Sequence, residues 1–375
     1  MSKDRLSVAI AAGGTAGHVN PALALAEELR ARGHEVRFYG QTRRLEGTLV
    51  PQAGFEFFPI EVSGLDRSRP WTLVSALLRL AHEERRILRT WKDEPALRPD
   101  VAIGFGAYVE MPLMRAAAKR GIPVALQEQN SVPGLANKQC AKSASLIAIA
   151  QPSVEEVFRA RCGAGTKIEL TGNPVRGQVL AGERARGRAA LGIPEDATVL
   201  LVFGGSLGAK HINERVAALK GRLLAQDGLY VVHSTGKDGY DETLAALGLT
   251  EAEASRWLVR SYIDDMGDCL AAADCVLSRA GASSVAEIAA LHVPALLVPY
   301  PYATEDHQTT NARYLVDAGA AVMFADADID GEPFAEELLD LVADGARRER
   351  MRAAARELGQ DRAAQKLADA LEALA

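Results

Sequence analysis

The chain has 375 residues, of which 48% are hydrophobic and 25% are charged, and its formal net charge is −6. This length favours two domains of globular composition, and the negative charge argues against nucleic-acid binding, which needs a basic surface. The spacing of the four cysteines matches no zinc or C-x-x-C pattern. No stretch approaches the roughly 18 apolar residues of a membrane span. We therefore expect a cytosolic chain or one that rests on a membrane without crossing it.

The first half opens with a strand, a glycine-rich turn and a helix. Residues 8–17 read V-A-I-A-A-G-G-T-A-G, and Asn20 followed by Pro21 is typical of a helix start. Further apolar runs predict strands near 35–39, 55–60, 100–104, 122–127 and 145–150. Strands that alternate with helices in this way predict a doubly wound parallel sheet, and therefore an α/β fold.

The second half repeats this order. Residues 199–208 read V-L-L-V-F-G-G-S-L-G, an amphipathic helix follows, and strands are predicted near 229–234, 256–260, 274–278, 294–298 and 320–324. We expect one domain over 1–165, a second over 176–355, and a terminal helix within 356–375 that could pack back on the first domain. If the carboxyl-terminal edges of the two sheets face each other, ligands would bind in the cleft between the domains.

Both glycine-rich turns are candidate anion sites. A turn that opens a helix presents N–H groups and the positive end of the helix dipole, and glycine lets the backbone approach a pyrophosphate closely. Residues 13–18 (G-G-T-A-G-H) and 204–208 (G-G-S-L-G) both have this form. Neither matches G-x-G-x-x-G, which argues against a dinucleotide.

Further polar segments follow predicted strands. Residues 279–287 (R-A-G-A-S-S-V-A-E) open a helix, in which Ser284 and Glu287 have the spacing of a capping box. Alternatively, Glu287 accepts the hydroxyl groups of a ribose. Gln308 and Asn130 lie in two other polar segments and could bind sugar hydroxyls or only belong to loops with helix caps.

Residues 326–337 fit the calcium-loop pattern D-x-D-x-D-G-x5-E. An EF-hand needs a helix on each side, yet a strand is predicted before this segment. An acidic helix start is therefore the favoured alternative.

Residues 67–92 hold seven Arg or Lys against two Glu, together with apolar and aromatic side chains. The segment is either a core helix with a solvated charged face or a membrane-docking face, because basic and aromatic residues together favour anionic lipid surfaces. In the second interpretation the contacts would include Trp71, Leu77, Arg85 and Arg86.

Seven motifs, in one order, resemble those of the MurG family, the bacterial transferases that add N-acetylglucosamine to lipid I and form lipid II for peptidoglycan. The motifs are G-G-T-A-G-H-V-N-P-A-L-A (13–24), E-Q-N-S-V-P-G-L-A-N-K (128–138), T-G-N-P-V-R (171–176), G-G-S-L-G-A (204–209), Y-I-D-D-M (262–266), R-A-G-A-S-S-V-A-E (279–287) and D-H-Q-T-T-N-A (306–312). The resemblance implies the GT-B fold, two facing Rossmann-like domains with an interdomain cleft, and an inverting, metal-independent transfer without a cofactor. It also implies UDP-N-acetylglucosamine, lipid I and the membrane surface as partners, no nucleic acid, and a peripheral position at the cytoplasmic face of the cell membrane.

The resemblance further implies which residues contact the substrates. The donor would contact Thr15, Ala16, Gly17, Asn130, Arg176, Ser206, Ile263, Ala282, Ser283, Ser284, Val285, Ala286, Glu287 and Gln308. Within this set the Ile263 backbone would read the uracil, Glu287 the ribose and Ser206 the phosphates. Gln308 and Asn130 would address the N-acetylglucosamine. The acceptor diphosphate would contact Gly14, Gly106 and Tyr108.

Three residues depart from the pattern of the family. Ala16 stands where the family has glycine, which would stiffen the first turn, and Ala107 and Glu110 replace glycine and serine in a second glycine loop, 104–112. Since the resemblance implies that this second loop meets the acceptor diphosphate, a carboxylate at Glu110 should repel the acceptor.

His18 is the candidate catalytic base. It ends the first glycine turn, where it would face the cleft, and its ordinary pKa near 6.5 suits proton transfer. Alternatively, His18 only orients the turn or binds phosphate. The rival bases are Asp264, Asp265 and Glu128.

Two other functions fit part of the pattern. A UDP-N-acetylglucosamine epimerase can share the two-domain architecture but acts on the donor without an acceptor, and a scaffold would bind the nucleotide sugar without turnover. The acceptor-type loops argue against the epimerase. His18 beside a full donor motif argues against the scaffold.

Overall fold

The computed structural model describes residues 5–62, 72–205 and 208–375, without the side chains of Thr72, Leu73 and Thr304. These residues divide into two compact units: unit 1 extends to Arg176 and also contains Arg362–Ala375, and unit 2 is Gly177–Asp361. Each unit has its own parallel sheet. The predicted contacts Trp71 and Ser206 lie outside the described residues.

Unit 1 is built on a parallel sheet of seven strands. These are β1 (Ser7–Ala11), β2 (Glu35–Gly40), β3 (Glu56–Pro59), β4 (Val101–Gly104), β5 (Val124–Glu128), β6 (Leu146–Ile149) and β7 (Lys167–Leu170). Their order across the sheet is β3-β2-β1-β4-β5-β6-β7. The strands β2 and β3 therefore extend the sheet on one side of β1. The chain then crosses over, and β4 to β7 extend the sheet on the other side of β1.

Helices cover both faces of this sheet. They are α1 (Ala16–Ala31), α2 (Glu46–Gln52), α3 (Thr72–Asp93), α4 (Glu110–Lys119), α5 (Leu135–Cys140), α6 (Glu155–Arg159) and α18 (Ala363–Glu372). Val8 and Ile10 of β1 belong to one core, whereas Ala9 and Ala11 belong to a second core on the opposite face. Because the central strands β1, β4, β5 and β6 are buried on both faces, their sequences are largely apolar runs.

The last helix, α18, is part of unit 1. Leu367 and Leu371 of α18 are buried in the same core as α1. At the end of α1, Arg32 pairs with Asp369 at 2.6 Å and with Glu372 at 3.1 Å. Apolar burial and an ion-pair cluster thus hold the end of the chain on unit 1.

Unit 2 is built on a parallel sheet of six strands. These are β8 (Thr198–Phe203), β9 (Leu229–Ser234), β10 (Trp257–Arg260), β11 (Cys275–Ser278), β12 (Ala295–Leu297) and β13 (Ala321–Met323), in the order β10-β9-β8-β11-β12-β13. Its helices are α7 (Gly177–Leu180), α8 (Arg184–Leu191), α9 (Lys210–Ala218), α10 (Lys220–Leu224), α11 (Tyr240–Leu247), α12 (Glu251–Ala254), α13 (Met266–Ala272), α14 (Ala282–Ala290), α15 (His307–Asp317), α16 (Glu332–Ala343) and α17 (Gly345–Glu357).

Unit 1 extends to Arg176, where the predicted second domain begins, and unit 2 ends at Asp361 instead of the predicted position 355. The segment after β7 stays with unit 1 because the Thr171 N–H donates to the Ile149 carbonyl at 3.1 Å and Gln127 Nε2 donates to the Gly172 carbonyl at 2.8 Å. At the other end, Gln360 Nε2 donates to the Tyr314 hydroxyl at 2.7 Å, which ties the turn after α17 to unit 2.

Two elements differ from the predicted ones. The sequence does not predict β7, because this edge strand has only exposed and half-buried residues and does not form an apolar run. The predicted start of α1 after Asn20 is wrong, since α1 begins at Ala16 and contains both Asn20 and Pro21. The amino terminus of α1 therefore lies directly at the glycine turn.

In the part of the chain that the structure describes, no helix is both long and apolar enough to cross a membrane.

Candidate functional site

Each unit carries its glycine turn at the same topological position. The strand order reverses between β1 and β4 in unit 1, and between β8 and β11 in unit 2. Loops at the carboxyl ends of the strands diverge at such a switch point and leave a crevice in which α/β proteins bind ligands. The turn after β1 and the turn after β8 both lie at these points, so the fold places each predicted anion turn where a ligand site is expected.

Unit 2 has a pocket of about 540 Å³ at its switch point, a volume typical of small-molecule sites. Two predicted donor contacts, Ser284 and Gln308, line it together with the glycine turn. Gly208 in this turn has φ +77°, and a Cβ there would lie 2.1 Å from the Thr235 carbonyl oxygen. Only glycine fits this position, which explains the third glycine of the G-G-S-L-G motif.

The first turn of α14 borders the same pocket. The helix has Gly281 as its N-cap, so Ser284 and Glu287 lie inside it and the capping-box alternative is wrong. The Ser283 Oγ atom is buried and has no hydrogen-bond partner among the described residues. A hydroxyl group in this state, at a helix amino terminus, is suited to donate to a bound anion.

Gln308 is fixed by the backbone around it. Its Oε1 accepts hydrogen bonds from the N–H of Ala280 at 3.1 Å and from that of Tyr300 at 2.9 Å. Because Oε1 is occupied, Nε2 is the atom of this amide that could donate to a ligand in the pocket. Just before α15, Glu305 (φ 53°) and Asp306 (φ 50°) are both left-handed, a backbone strain of about 1–3 kcal/mol each that concentrates at functional sites.

Arg279 is a pocket residue to which the sequence assigns no role. Its Nη1 donates to the carbonyls of Val298 and Pro299 and to Oδ1 of Asp326 at 2.5 Å. The guanidinium lies 5.6 Å from the Tyr300 ring centroid. Arg279 thus fixes the segment after β12 and adds positive charge beside the glycine turn.

Asp326, Asp330 and Glu337 of the segment 326–337 have basic partners within the protein. His211 Nδ1 lies 2.8 Å from Asp326 and its Nε2 lies 3.2 Å from Asp330, and the hydrogen bond with Asp326 raises the pKa of His211. Glu337 pairs with Arg347. Because β13 rather than a helix precedes the segment, it does not form an EF-hand.

The other predicted donor contacts are divided between the units. In unit 2, the side chains of Ile263, Val285 and Ala286 are buried, so only their backbone could meet a ligand, which is the role predicted for Ile263. Unit 1 carries Thr15, Ala16, Gly17, Asn130 and Arg176.

In unit 1, the N–H groups of two predicted acceptor contacts are already in use. The Gly14 N–H donates to Oε2 of Glu46 at 3.1 Å, and the Gly106 N–H donates to Oε2 of Glu110 at 2.5 Å. Both glutamate side chains are fully buried. A diphosphate near these turns would therefore meet other groups of the loops, such as the half-buried Tyr108, and the contacts at Gly14 and Gly106 stay a prediction.

The departures from the family pattern also have a structural explanation. Ala16 is the first residue of α1, a position that alanine favours. Ala107 has φ 65°, a left-handed conformation that costs about 1–2 kcal/mol without glycine. The side chain of Glu110 lies beneath the turn, with 0% of its surface exposed, and its repulsion of the acceptor stays a prediction.

His18 lies in the first turn of α1. Its Nδ1 is 3.1 Å from the Thr15 hydroxyl oxygen, and its ring contacts the second glycine loop, where a Cβ at Gly106 would lie 3.2 Å from Nε2. Burial lowers the pKa of His18, and a hydrogen bond to the Gly13 backbone partly opposes this shift. The ring is therefore neutral at pH 7 and able to accept a proton.

The rival bases are less suited. Glu128 is buried and accepts hydrogen bonds from the N–H groups of Asn130 at 3.1 Å and Gly134 at 2.9 Å, and from Asn137 Nδ2 at 2.9 Å. This carboxylate organises its loop and does not reach the surface. Asp265 is the N-cap of α13, and its neighbour Asp264 is exposed.

Away from these turns, α3 presents an apolar face to solvent. Val74, Leu77 and Leu78 lie one turn apart with exposed fractions of 64%, 51% and 67%. Trp91, by contrast, is buried and donates to the Tyr39 hydroxyl. The helix therefore has both a core side and an exposed apolar side.

Two acidic residues of α3, Glu83 and Glu84, form ion pairs. Glu84 is buried and pairs with Arg115 and Lys119 of α4. Glu83 pairs with Arg86 at 2.6 Å, so Arg86 is partly engaged, whereas Arg85 is exposed. The solvent side of α3 is thus basic as well as apolar.

Comparison with known proteins decides the family. Residues 8–149 match the glycosyltransferase family 28 N-terminal domain, and residues 199–371 match the C-terminal domain of that family. A relative from Halothermothrix orenii, named UDP-N-acetylglucosamine–N-acetylmuramyl-(pentapeptide) pyrophosphoryl-undecaprenol N-acetylglucosamine transferase, is 39% identical over 366 residues, which is 96% of each chain. The crystal structure of Acinetobacter baumannii MurG is 29% identical, with a TM-score of 0.72 over 97% of this chain and 98% of that one.

The chain belongs to the MurG family of glycosyltransferases. The predicted family, enzyme class and two-domain α/β fold are confirmed. A structure of a UDP-N-acetylglucosamine 2-epimerase from Listeria monocytogenes also matches, with a TM-score of 0.66 but only 14% identity, over 96% of this chain and 94% of that one. That likeness extends to the fold alone. It shows why the two-domain architecture, when predicted from sequence, leaves an epimerase as an alternative.

Sequence reasoning missed the residues that organise the MurG-family turns from below. Glu46 and Glu110 bind turn N–H groups, and Arg279 fixes the segment after β12. Arg279 is the first residue of the motif 279–287, so the sequence did contain a signal that could have identified it. Glu46 lies 32 residues from its partner Gly14, and no local pattern in the sequence reveals that contact.

Proposed function

We propose that this chain is an inverting transferase that moves N-acetylglucosamine from UDP-N-acetylglucosamine to the C4 hydroxyl of N-acetylmuramic acid in lipid I, which yields lipid II. The observation that carries the proposal is the unit 2 pocket, in which a glycine turn, the start of α14 and Gln308 surround a space of about 540 Å³. A phosphate-binding turn beside an orienting amide suits a nucleotide sugar. The name of the relative from Halothermothrix orenii describes the same transfer.

In this proposal unit 2 stabilises the leaving group. As the bond between the anomeric carbon and the UDP oxygen breaks, the diphosphate gains negative charge. The N–H groups of the first turn of α14 are fixed by the fold, so they can stabilise that charge without reorganisation, beside Gly204 and Gly205 in the same pocket. The Ser284 hydroxyl, which lines the pocket, supplies a further donor.

His18 then takes the proton of the acceptor. The C4 oxygen bonds to the anomeric carbon, its proton passes to the neutral imidazole, and UDP departs with inversion. His18→Ala should lower turnover by about 10²-fold or more, while calorimetry shows an unchanged affinity for UDP. Because the pKa of His18 is lowered, the rate should be independent of pH just above 6.5 and should fall at lower pH. Turnover that barely changes would assign the base to another residue.

The transfer itself is tested with labelled UDP-N-acetylglucosamine, with and without lipid I. We expect labelled lipid II only when lipid I is present. Epimerised sugar without an acceptor would support the epimerase, and binding without any product would support the scaffold; either result would refute the proposal.

We also infer that the protein works as a peripheral protein at the cytoplasmic face of the cell membrane, with the exposed side of α3 against the lipid. A lipid-linked acceptor requires access to the membrane surface. The apolar residues Leu77 and Leu78, flanked by Arg85, provide the combination that anionic lipid interfaces attract.

A further inference from the structure

Glu110 occupies an unusual place beneath the second glycine loop. Its Oε2 accepts the Gly106 N–H at 2.5 Å, and the loop there holds two successive left-handed residues, Gly106 (φ 90°) and Ala107 (φ 65°). A left-handed alanine persists only where the surroundings enforce it. The hydrogen bond from Gly106 to Glu110 is one such constraint.

The same loop contacts the candidate base. A Cβ at Gly106 would lie 3.2 Å from both Nε2 and Cδ2 of His18, so the backbone of Gly106 packs closely on the imidazole. Glu110, Gly106 and His18 therefore form a continuous chain of contacts. A shift of Glu110 would move the loop and, with it, the surface on which His18 rests.

The surroundings of Glu110 favour its neutral form. Glu128 on β5 and Cys140 at the end of α5 interact with Glu110, and Arg115 on α4 interacts in turn with Cys140. Glu128 accepts three hydrogen bonds from its loop, whereas Oε1 of Glu110 has no hydrogen-bond partner among the described residues. The negative charge is thus better accommodated on Glu128. Burial raises the pKa of Glu110 to about 8. The hydrogen bond from Gly106 opposes this shift, and the negative charge of Glu128 adds to it.

We propose that Glu110 is a positioning residue for the acceptor: its side chain holds the Gly106–Ala107 turn against His18 and so sets where the acceptor lies relative to the base. This inference rests on the proposed function, because it assigns the acceptor to the loops of unit 1. Ionisation of Glu110 places an unpaired charge beside Glu128 under the loop. The acceptor-dependent rate should therefore decline at alkaline pH, whereas the binding of UDP, which the proposed function assigns to unit 2, should not.

The test compares Glu110→Gln, which keeps an oxygen for the Gly106 N–H but cannot ionise, with Glu110→Leu, which keeps neither property. For the wild type, kcat/KM for lipid I should fall up to tenfold per pH unit above pH 8, and Glu110→Gln should abolish that decline. Glu110→Leu should lower kcat/KM for lipid I by tenfold or more at pH 7, with KM for the donor changed less than twofold. Glu46→Gln, the matched change under the first glycine turn, should keep the alkaline decline.

A second measurement does not depend on turnover. In Glu110→Leu, hydrogen exchange at the amides of 105–109 should be at least tenfold faster than in the wild type, and Glu110→Gln should restore slow exchange. The inference is overturned if Glu110→Gln and the wild type share one pH profile, or if exchange at this loop is the same in all three proteins. A wild type that shows the expected exchange but makes no lipid II would refute the proposed function instead.

Discussion

The buried pair of Arg279 and Asp326 gives the most quantitative prediction. The two side chains are only 9% and 15% exposed, and Arg279 also donates to the carbonyls of Val298 and Pro299. Removal of one partner from a buried ion pair costs about 3–5 kcal/mol, because the other charge remains desolvated. Asp326 keeps His211 as a second partner, so we expect Arg279→Met to lower the free energy of unfolding of unit 2 by about 3 kcal/mol, the lower end of that range.

A double-mutant cycle isolates the pair. The variants are Arg279→Met, Asp326→Asn and the combination, each in a background in which Trp71 and Trp91 are replaced by Phe, so that Trp257 on β10 reports on unit 2. Denaturant titration should give a coupling free energy of about 2 kcal/mol, within the usual range for contacting residues. A coupling below about 0.5 kcal/mol would refute the reasoning, because it would equal that of residues without shared contacts.

Three further predictions follow from buried or exposed residues. Leu371→Ala should destabilise unit 1 by about 2–5 kcal/mol, measured by Trp91 fluorescence, because Leu371 is fully buried; an unchanged transition would show that α18 adds nothing to that unit. Burial lowers the pKa of His233 to about 4, so as the pH falls the unfolded chain protonates this histidine before the folded protein does. The free energy of unfolding should therefore fall by about 3 kcal/mol from pH 6.5 to pH 4. A denaturant series in which His233→Gln keeps the whole pH dependence would contradict this. Leu78→Ser should weaken binding to anionic vesicles at least threefold, whereas Leu244→Ser, an exposed control in unit 2, should not; equal effects would argue against docking through α3.

The fold could be predicted from the sequence because the central strands are buried on both faces. A strand such as β8 (Thr198–Phe203) has apolar side chains at almost every position, and this pattern is visible without any tertiary information. The edge strand β7 lacks that pattern. Its position depends on pairing with β6, which local sequence does not report.

The site could be predicted in part. Glycine turns leave a signature because positions such as Gly208 admit no side chain. The groups that hold the turns leave none, since Glu46 and Glu110 resemble surface glutamates in sequence and become buried only through tertiary packing. For the same reason the burial of Glu110 beneath its loop could not be inferred from the motif alone.

The measurement that tests the donor site most directly is hydrogen exchange with and without UDP. We expect slower exchange at the glycine turn after β8 and in the first turn of α14, with the sheet edge of unit 1 unchanged. Protection that is confined to unit 1, or no protection in unit 2 at saturating UDP, would contradict the assignment of the nucleotide to the unit 2 pocket.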